Sequence, residues 1–336
     1  MDFTNYSLLI FIIVNILLVA NFKKIEFFQH VLDIPDKKRK FHQKKTPLAG
    51  GIILIINILI YFIFVNFDDQ YLLIEIFYNN KLEFFVFICA SFIIFLIGLF
   101  DDKYNLSPNY KFLLLSIVIL IVLALDNNLI ISTIKFSFFD KTINFNQYSI
   151  FFTCFCFLVF LNAFNMFDGI NLQASFYSIV ILSSITIFYI NSLFVNILLI
   201  YLICYSFLNY QNKSFLGDNG SLLIAFIIGY IFIKLYNVEK IIYVDEVFIF
   251  MMIPGIDLIR LVFKRALNRQ NPLRGDRDHL HHIVSSKFSL VKSTTIIQFL
   301  IIAPLFLMYL GVNNFFIIIV TIVCYILLLY KLKKIT

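Results

Sequence analysis

Phe84-Phe85-Val86-Phe87-Ile88-Cys89-Ala90-Ser91-Phe92-Ile93-Ile94-Phe95-Leu96-Ile97-Gly98-Leu99-Phe100 is an uncharged run that stops abruptly at Asp101-Asp102. A stretch of that length with no charge is long enough to cross the hydrocarbon core of a bilayer, which takes about 20 residues in a helix. The two acids mark where it meets water. The pattern recurs along the chain: 61% of the 336 residues are hydrophobic, 14% are charged, and the mean hydropathy is +0.92. Soluble domains carry about 25% charged residues. A water-soluble globule, a disordered chain, a disulfide scaffold and a nucleic-acid-binding protein are thereby set aside.

Breaking the apolar runs at charge clusters predicts eleven helices, or ten if two merge. They lie at about 3–22, 48–67, 83–100, 112–125, 148–166, 172–190, 193–210, 220–236, 246–263, 294–311 and 314–331. The fold class expected is an all-α polytopic membrane protein of one catalytic domain. The first run has no basic leader and no A-x-A site, so it reads as a retained span rather than a cleaved signal. Placing the first span from outside to inside puts 22 of the 27 Lys and Arg on the inner side, with the 20 acids split evenly. Net charge is then +12 inside and −5 outside. The positive-inside bias therefore predicts an outer N-terminus and a cytoplasmic C-terminus. The outer stretch 127–148 alternates weakly and reads as a short β excursion. Cys89, Cys154, Cys156, Cys204 and Cys324 all fall in apolar runs with no C-x-x-C spacing, which argues against disulfides and zinc.

Nearly all the polar clusters fall on the inner side, in segments 37–51, 98–111, 162–171, 211–221 and 264–293. Asp101, Asp102, Asp168 and Asp218 come to similar depth from three places, and acids beside a span are expensive and usually functional. Hard carboxylate oxygens that can be shared with phosphate suit Mg²⁺, with Mn²⁺ the alternative. The blander reading is helix capping by Asp-Asp and Gly-Asp-Asn-Gly turns. Gly217-Asp218-Asn219-Gly220-Ser221 opens a helix, where free N–H groups favour an anion. Asn162, Asn165 and Asp168 recur every three residues, on roughly one helix face. The run Lys37 to Lys45 reads first as a lipid-headgroup patch, although His42 and Lys44 lead directly into a span. Arg274, Arg277, His279, His281 and His282 join guanidinium forks to imidazoles, a set suited to phosphate. Asp257 and Arg260, beside Pro254-Gly255, read as a structural pair.

These motifs resemble those of the polyprenyl-phosphate N-acetylhexosamine-1-phosphate transferases, the family of WecA, TagO and MraY. The resemblance rests on R-K-x-H…P-x-x-G-G at Arg39 to Gly51, the Asp101-Asp102 pair, N-A-F-N-M-x-D-G at Asn162 to Gly169, G-D-x-G-S at Gly217 to Ser221, and P-x-x-x-D-R-x-H-x-H-H at Pro272 to His282. The broken run His279-Leu280-His281-His282 is similar to the WecA/TagO branch. The resemblance implies a multi-pass enzyme of the bacterial cytoplasmic membrane that moves a sugar 1-phosphate from a UDP-sugar to undecaprenyl phosphate. It implies metal ligation by Asp218, Asp102 and Asp168, and catalytic roles for Asp101, Asp102, His279, His281 and His282. Substrate contacts would come from Asn165, Asp168, Asn171, Arg274, Arg277, His42, Lys44 and Gly217. Membrane lipid and a second copy of the chain are the other partners allowed for; nucleic acid is not. Where the family has a second acid and a second glycine, this chain has Asn171 and Leu172, a departure that leaves room for an inactive relative. A transporter is the alternative from another class, but transporter sites lie near the bilayer midplane, and these acids gather at one edge.

Overall fold

Helices form wherever the apolar runs leave the backbone no other way to satisfy its N–H and C=O groups, and short polar residues set their ends. A computed structural model describes residues 3–25, 28, 31–34, 45–67, 78, 80–269 and 278–334. Within them lie helices α1 (Phe3–Ala20), α2 (Gly50–Phe67), α3 (Lys81–Tyr104), α4 (Pro108–Leu125), α5 (Ser149–Phe167) and α6 (Gln173–Phe188). There follow α7 (Leu193–Tyr210), α8 (Gly217–Asn237), α9 (Val244–Leu267), the short α10 (Leu280–Ser285), α11 (Leu290–Tyr309) and α12 (Asn314–Lys334). Asn80 caps α3 by accepting from the Glu83 N–H, and Ser107 caps α4 from Tyr110, with Pro108 opening that helix. Ser192 caps α7 from Val195.

Every run predicted as a span is a helix. Seven of the described helices, α3, α4, α5, α7, α8, α11 and α12, are long and apolar enough to cross a membrane, and the chain is a multi-pass membrane protein. Two boundaries move in ways that matter. The helix of the opening run continues past its acids to Tyr104, so Asp101 and Asp102 stand on its last turns; α8 begins at Gly217, so Asp218 lies in its first turn.

The layout places α8 at the centre, buried from Asn219 to Leu235, with α2, α3 and α5 packed around it. The α3–α8 pair is the most extensive helix contact. Outer helices turn apolar side chains outward, as Leu9, Ile13 and Ile16 of α1 and Phe316, Ile319 and Ile326 of α12 do, which suits contact with lipid rather than water. Buried amides cross-link α1 to α2: Asn15 Nδ2 donates to Asn57 Oδ1 at 2.7 Å, and Asn57 Nδ2 returns the bond at 3.1 Å. In apolar surroundings such a reciprocal pair leaves few unpaired polar atoms.

The end of the bundle away from the acid pair is fastened by charge. Lys234 Nζ of α8 donates to Glu83 Oε2 of α3 at 2.7 Å and to Asp126 Oδ1, just beyond α4, at 2.9 Å; all three side chains are buried. Tyr230 Oη adds a bond to Asp126 and Asn128 Nδ2 one to Glu83. The predicted β excursion is a hairpin, β3 (Thr133–Phe136) with β4 (Phe139–Asn144), antiparallel with Thr133 opposite Asn144. A second antiparallel pair was not expected: β1 (Leu32–Asp33) aligns with β2 (Thr46–Pro47), which leads directly into α2.

Candidate functional site

The site grows from one tight connection. At the end of α3, Asn105 adopts a left-handed conformation (φ 51°) and its N–H returns to the Asp101 carbonyl, while the Leu106 N–H donates to Asp101 Oδ1 at 2.7 Å. The chain therefore reverses at once into α4. That reversal brings Lys111, in the second turn of α4, back over Asp101. Lys111 Nζ lies 2.6 Å from Asp101 Oδ2 and 2.6 Å from Asp218 Oδ2 of α8. Asn165 Nδ2, near the end of α5, donates to the same Asp218 oxygen at 3.0 Å, and Ser221 Oγ donates to Asn165 Oδ1 at 2.8 Å. Four helix ends thus converge on two carboxylates, one ammonium and one amide. All four side chains are partly accessible.

Asp102, one residue on, does something different. Its oxygens accept the N–H groups of Asp218 at 2.9 Å and Asn219 at 3.0 Å, together with the Asn219 side-chain amide. It is an N-terminal cap of α8 supplied from another helix. Gly217 (φ +72°) permits this approach, since a Cβ there would stand 2.8 Å from Asp102 Oδ2. Gly98 is needed similarly: its Cβ would meet the Asn219 Cα at 2.5 Å. The Asp-Asp pair therefore divides into Asp101, which faces the ammonium, and Asp102, which holds the Gly-Asp-Asn-Gly-Ser turn against α3.

Asp168 terminates α5 beside this group. Desolvation in its half-buried position, with the charge of Asp218 added, pushes its carboxyl up to about 7. Next to it, Gly169 is in contact with the histidine segment: a Cβ on Gly169 would lie 1.8 Å from His281 Nε2. His281 is buried, neither of its ring nitrogens has a hydrogen-bond partner among the described residues, and burial beside His282 and His279 lowers its pKa well below the usual histidine value. It stands as a neutral imidazole at pH 7. The His279 and His281 rings stack with centroids 5.4 Å apart, and His282 meets His281 edge-on at 4.1 Å. The structure thus brings Asp101, Asp168, Asp218, Asn165 and the three histidines to one end of the bundle.

Other residues singled out from sequence fare differently. Asn171 Nδ2 donates to the Asn209 carbonyl at 2.8 Å and to Asn212 Oδ1 at 2.7 Å, so its amide ties the loop to the end of α7. Asn162 donates to the Leu158 carbonyl of its own helix. His42, Lys44, Arg274 and Arg277 lie outside the described residues. Sequence reasoning missed Lys111, because a lysine at the edge of an apolar span ordinarily reaches into the headgroup region and by itself carries no signal of a site.

The donor set bears directly on a metal. Among the described residues no three His, Cys, Asp or Glu side chains converge as a ready-made metal group. Asp101 and Asp218 nonetheless bracket a cation already, the Lys111 ammonium. Hard carboxylate oxygens on either side of a positive charge fit Mg²⁺, which takes one or two protein carboxylates and fills its shell with phosphate and water.

Residues 84–236, from α3 through nearly the whole of α8, match the model of glycosyl transferase family 4. The chain is 26% identical over 269 residues to a Bacillus subtilis (strain 168) protein described as a probable undecaprenyl-phosphate N-acetylglucosaminyl 1-phosphate transferase, covering 77% of this chain and 71% of that one. It is likewise 26% identical over 259 residues to the undecaprenyl-phosphate alpha-N-acetylglucosaminyl 1-phosphate transferases of Escherichia coli O157:H7 and Yersinia pestis, covering 73% of this chain and 67% of each relative. The helices that carry Asp101, Lys111, Asn165 and Asp218 therefore fall in the stretch that matches glycosyl transferase family 4, and the chain is similar to proteins described as undecaprenyl-phosphate N-acetylglucosaminyl 1-phosphate transferases.

Proposed function

We propose that this protein transfers a sugar 1-phosphate, of the N-acetylhexosamine class, from a UDP-sugar to undecaprenyl phosphate at the inner face of the bacterial cytoplasmic membrane, as the first membrane step of a cell-surface polysaccharide. The observation that carries the reading is the Asp101–Lys111–Asp218–Asn165 cluster, built from four helix ends next to Asp168 and His281. Its alternating carboxylates and cationic or N–H donors match a diphosphate with a counter-ion, and its place at one edge of the bundle suits a lipid acceptor meeting a water-soluble donor.

In the proposed reaction an oxygen of the lipid phosphate attacks the β-phosphorus of the UDP-sugar. The bond from that phosphorus to the bridging oxygen breaks, and UMP leaves with the electron pair. The acceptor phosphate has a second pKa near about 6 and is mostly dianionic at pH 7, so no dedicated base is required. Lys111 neutralises charge between the carboxylates and the phosphates. Asn165 and Asp168 orient the donor, and His281 offers a neutral N–H whose present lack of a partner a phosphate oxygen would end. Asp218 and Asp101 would hold Mg²⁺, which supplies charge neutralisation of the diphosphate and its leaving group. Arg274, Arg277, His42 and Lys44, by their chemistry, would add phosphate contacts from neighbouring loops.

The eleven long helices α1–α9, α11 and α12 are read as spans, with the N-terminus outside and the C-terminus in the cytoplasm, supported by the +12 and −5 charge partition. The test of function is direct. Membranes carrying the protein are given undecaprenyl phosphate and a panel of radiolabelled UDP-sugars, with and without EDTA. A chloroform-soluble labelled product with release of UMP, abolished by EDTA and restored by Mg²⁺, is the expected result; no lipid-linked product from any sugar overturns the reading.

A further inference from the structure

Asp257 of α9 is buried at 3% exposure, and among the described residues its carboxylate meets three donors and one imidazole nitrogen. Arg260 Nη2 reaches Oδ1 at 2.8 Å, Tyr325 Oη of α12 reaches Oδ1 at 2.6 Å, and the Leu280 N–H reaches the carboxylate at 3.2 Å. The fourth partner is His279 Nδ1, 2.9 Å from Oδ2. Arg260 Nε also donates to Tyr325 Oη at 2.8 Å, and its Nη2 holds the Asp278 carbonyl. An ionised carboxylate has no proton to give, so His279 must present Nδ1–H to it, which turns Nε2 to the opposite side of the ring, away from Asp257.

A purely structural clamp could have ended on backbone. This one ends on an imidazole whose face carries His281, the ring planes 9° from parallel, and His281 in turn rests against Gly169 beside Asp168. We propose that Asp257, gripped by Arg260 and Tyr325, is a positioning residue of the transfer site: through the His279 Nδ1–H bond it fixes the tautomer and tilt of His279 and thereby holds His281 at the Asp168 loop. The C-terminal helix α12, remote in sequence from every carboxylate of the site, contributes to it through Tyr325. Carboxylates that orient a working histidine in this way commonly matter about 10- to 100-fold in activity.

The inference rests on the transferase reading, and the experiment separates the two. Purified wild type, Asp257→Asn, Asp257→Glu and Tyr325→Phe are compared for kcat and KM in lipid-linked sugar formation, with turnover normalised to UDP-binding sites. Asp257→Asn keeps the shape but replaces one acceptor oxygen by a donor, so kcat falls about 10- to 100-fold with KM for the UDP-sugar within about threefold. Asp257→Glu restores part of the rate, and Tyr325→Phe loses about threefold, the share of one hydrogen bond. In parallel, ¹⁵N-histidine spectra of the wild type show a carboxylate-bound Nδ1–H that disappears in both Asp257→Asn and His279→Gln. A merely structural Asp257 would lower thermal stability while leaving kcat per binding site unchanged; that result, or an Nδ1–H signal that survives Asp257→Asn, overturns the proposal. A wild type that makes no lipid-linked sugar overturns the transferase reading instead, and the spectra then decide the Asp257–His279 pairing alone.

Discussion

At the scale of single residues, the ammonium of Lys111 sits within 2.6 Å of two carboxylates, and removing any member of such a group leaves the others unbalanced. Asp218→Ala is expected to lower turnover by about 10²- to 10³-fold, the usual effect of deleting a group that stabilises developing charge. Retention of normal Mg²⁺-dependent transfer in reconstituted membranes would rule out its role. Lys111→Met leaves Asp101 and Asp218 facing each other without a cation, and the same assay should show a comparable loss. Asp168 provides a pH signature. With its carboxyl pushed up to about 7, it is mostly protonated at pH 6 and mostly ionised at pH 8. If the ionised form orients the donor, activity falls on the acid side with an apparent pKa near that value. Asp168→Asn should be slower throughout and should lack that limb in a pH–rate profile.

How much of this was legible in the sequence is also decided residue by residue. Asp101 and Asp102 are indistinguishable as letters, yet one step along a helix rotates the side chain by about 100°. One of them therefore reaches Lys111 and the other caps α8. Asn162 and Asn165 share a face, but only Asn165 comes within reach of Asp218; Asn162 satisfies itself on Leu158. Lys111 stayed hidden because its meaning depends on Asn105 turning the chain back, and a left-handed asparagine leaves no signal strong enough to predict it. Asp257 and Arg260 were legible as a pair at i and i+3, whereas Tyr325 and His279, 68 and 22 residues away from Asp257, were not.

At the scale of elements, the helices were legible because each apolar run is longer than any strand and offers no alternative way of satisfying its backbone. The hairpin at 133–144 followed from alternation; the Leu32–Asp33 and Thr46–Pro47 pair did not, since two residues are too few to show a period. Element junctions carry the site, and two glycines test that. Gly169→Ala would place a Cβ 1.8 Å from His281 Nε2, which only displacement of the histidine segment relieves. Gly217→Ala combines a positive φ with a Cβ 2.8 Å from Asp102 Oδ2, straining the cap of α8 at a cost of about 1–2 kcal/mol for the backbone conformation alone. Both variants should assemble in the membrane with wild-type yield and show transfer reduced by at least about tenfold, read in the radiolabelled-sugar assay. Wild-type rates in Gly169→Ala would mean that His281 is not held at the Asp168 loop.

At the scale of the whole molecule, charge both orients and fastens the bundle. A cysteine introduced at Lys141, exposed on the β3–β4 hairpin, should react with an impermeant maleimide in intact cells, and one at Lys213, exposed between α7 and α8, only after permeabilisation. The reverse pattern would invert the topology. Lys234→Met strands Glu83 and Asp126 as buried, unbalanced carboxylates, a change that typically costs about 3–5 kcal/mol. A clear drop in Tm in detergent, with turnover per folded molecule close to wild type, is expected.

That fastening has a further consequence. Asp218 and Lys234 stand 16 positions apart on α8, about 24 Å along the axis at 1.5 Å per residue, so the central post is free to exchange partners at one end and bolted at the other. Alternating access needs a door on each side of the bilayer. Here three buried opposite charges tie α8 to α3 and to the end of α4 on one side, which opposes the rocking that alternating access would require of the central helix.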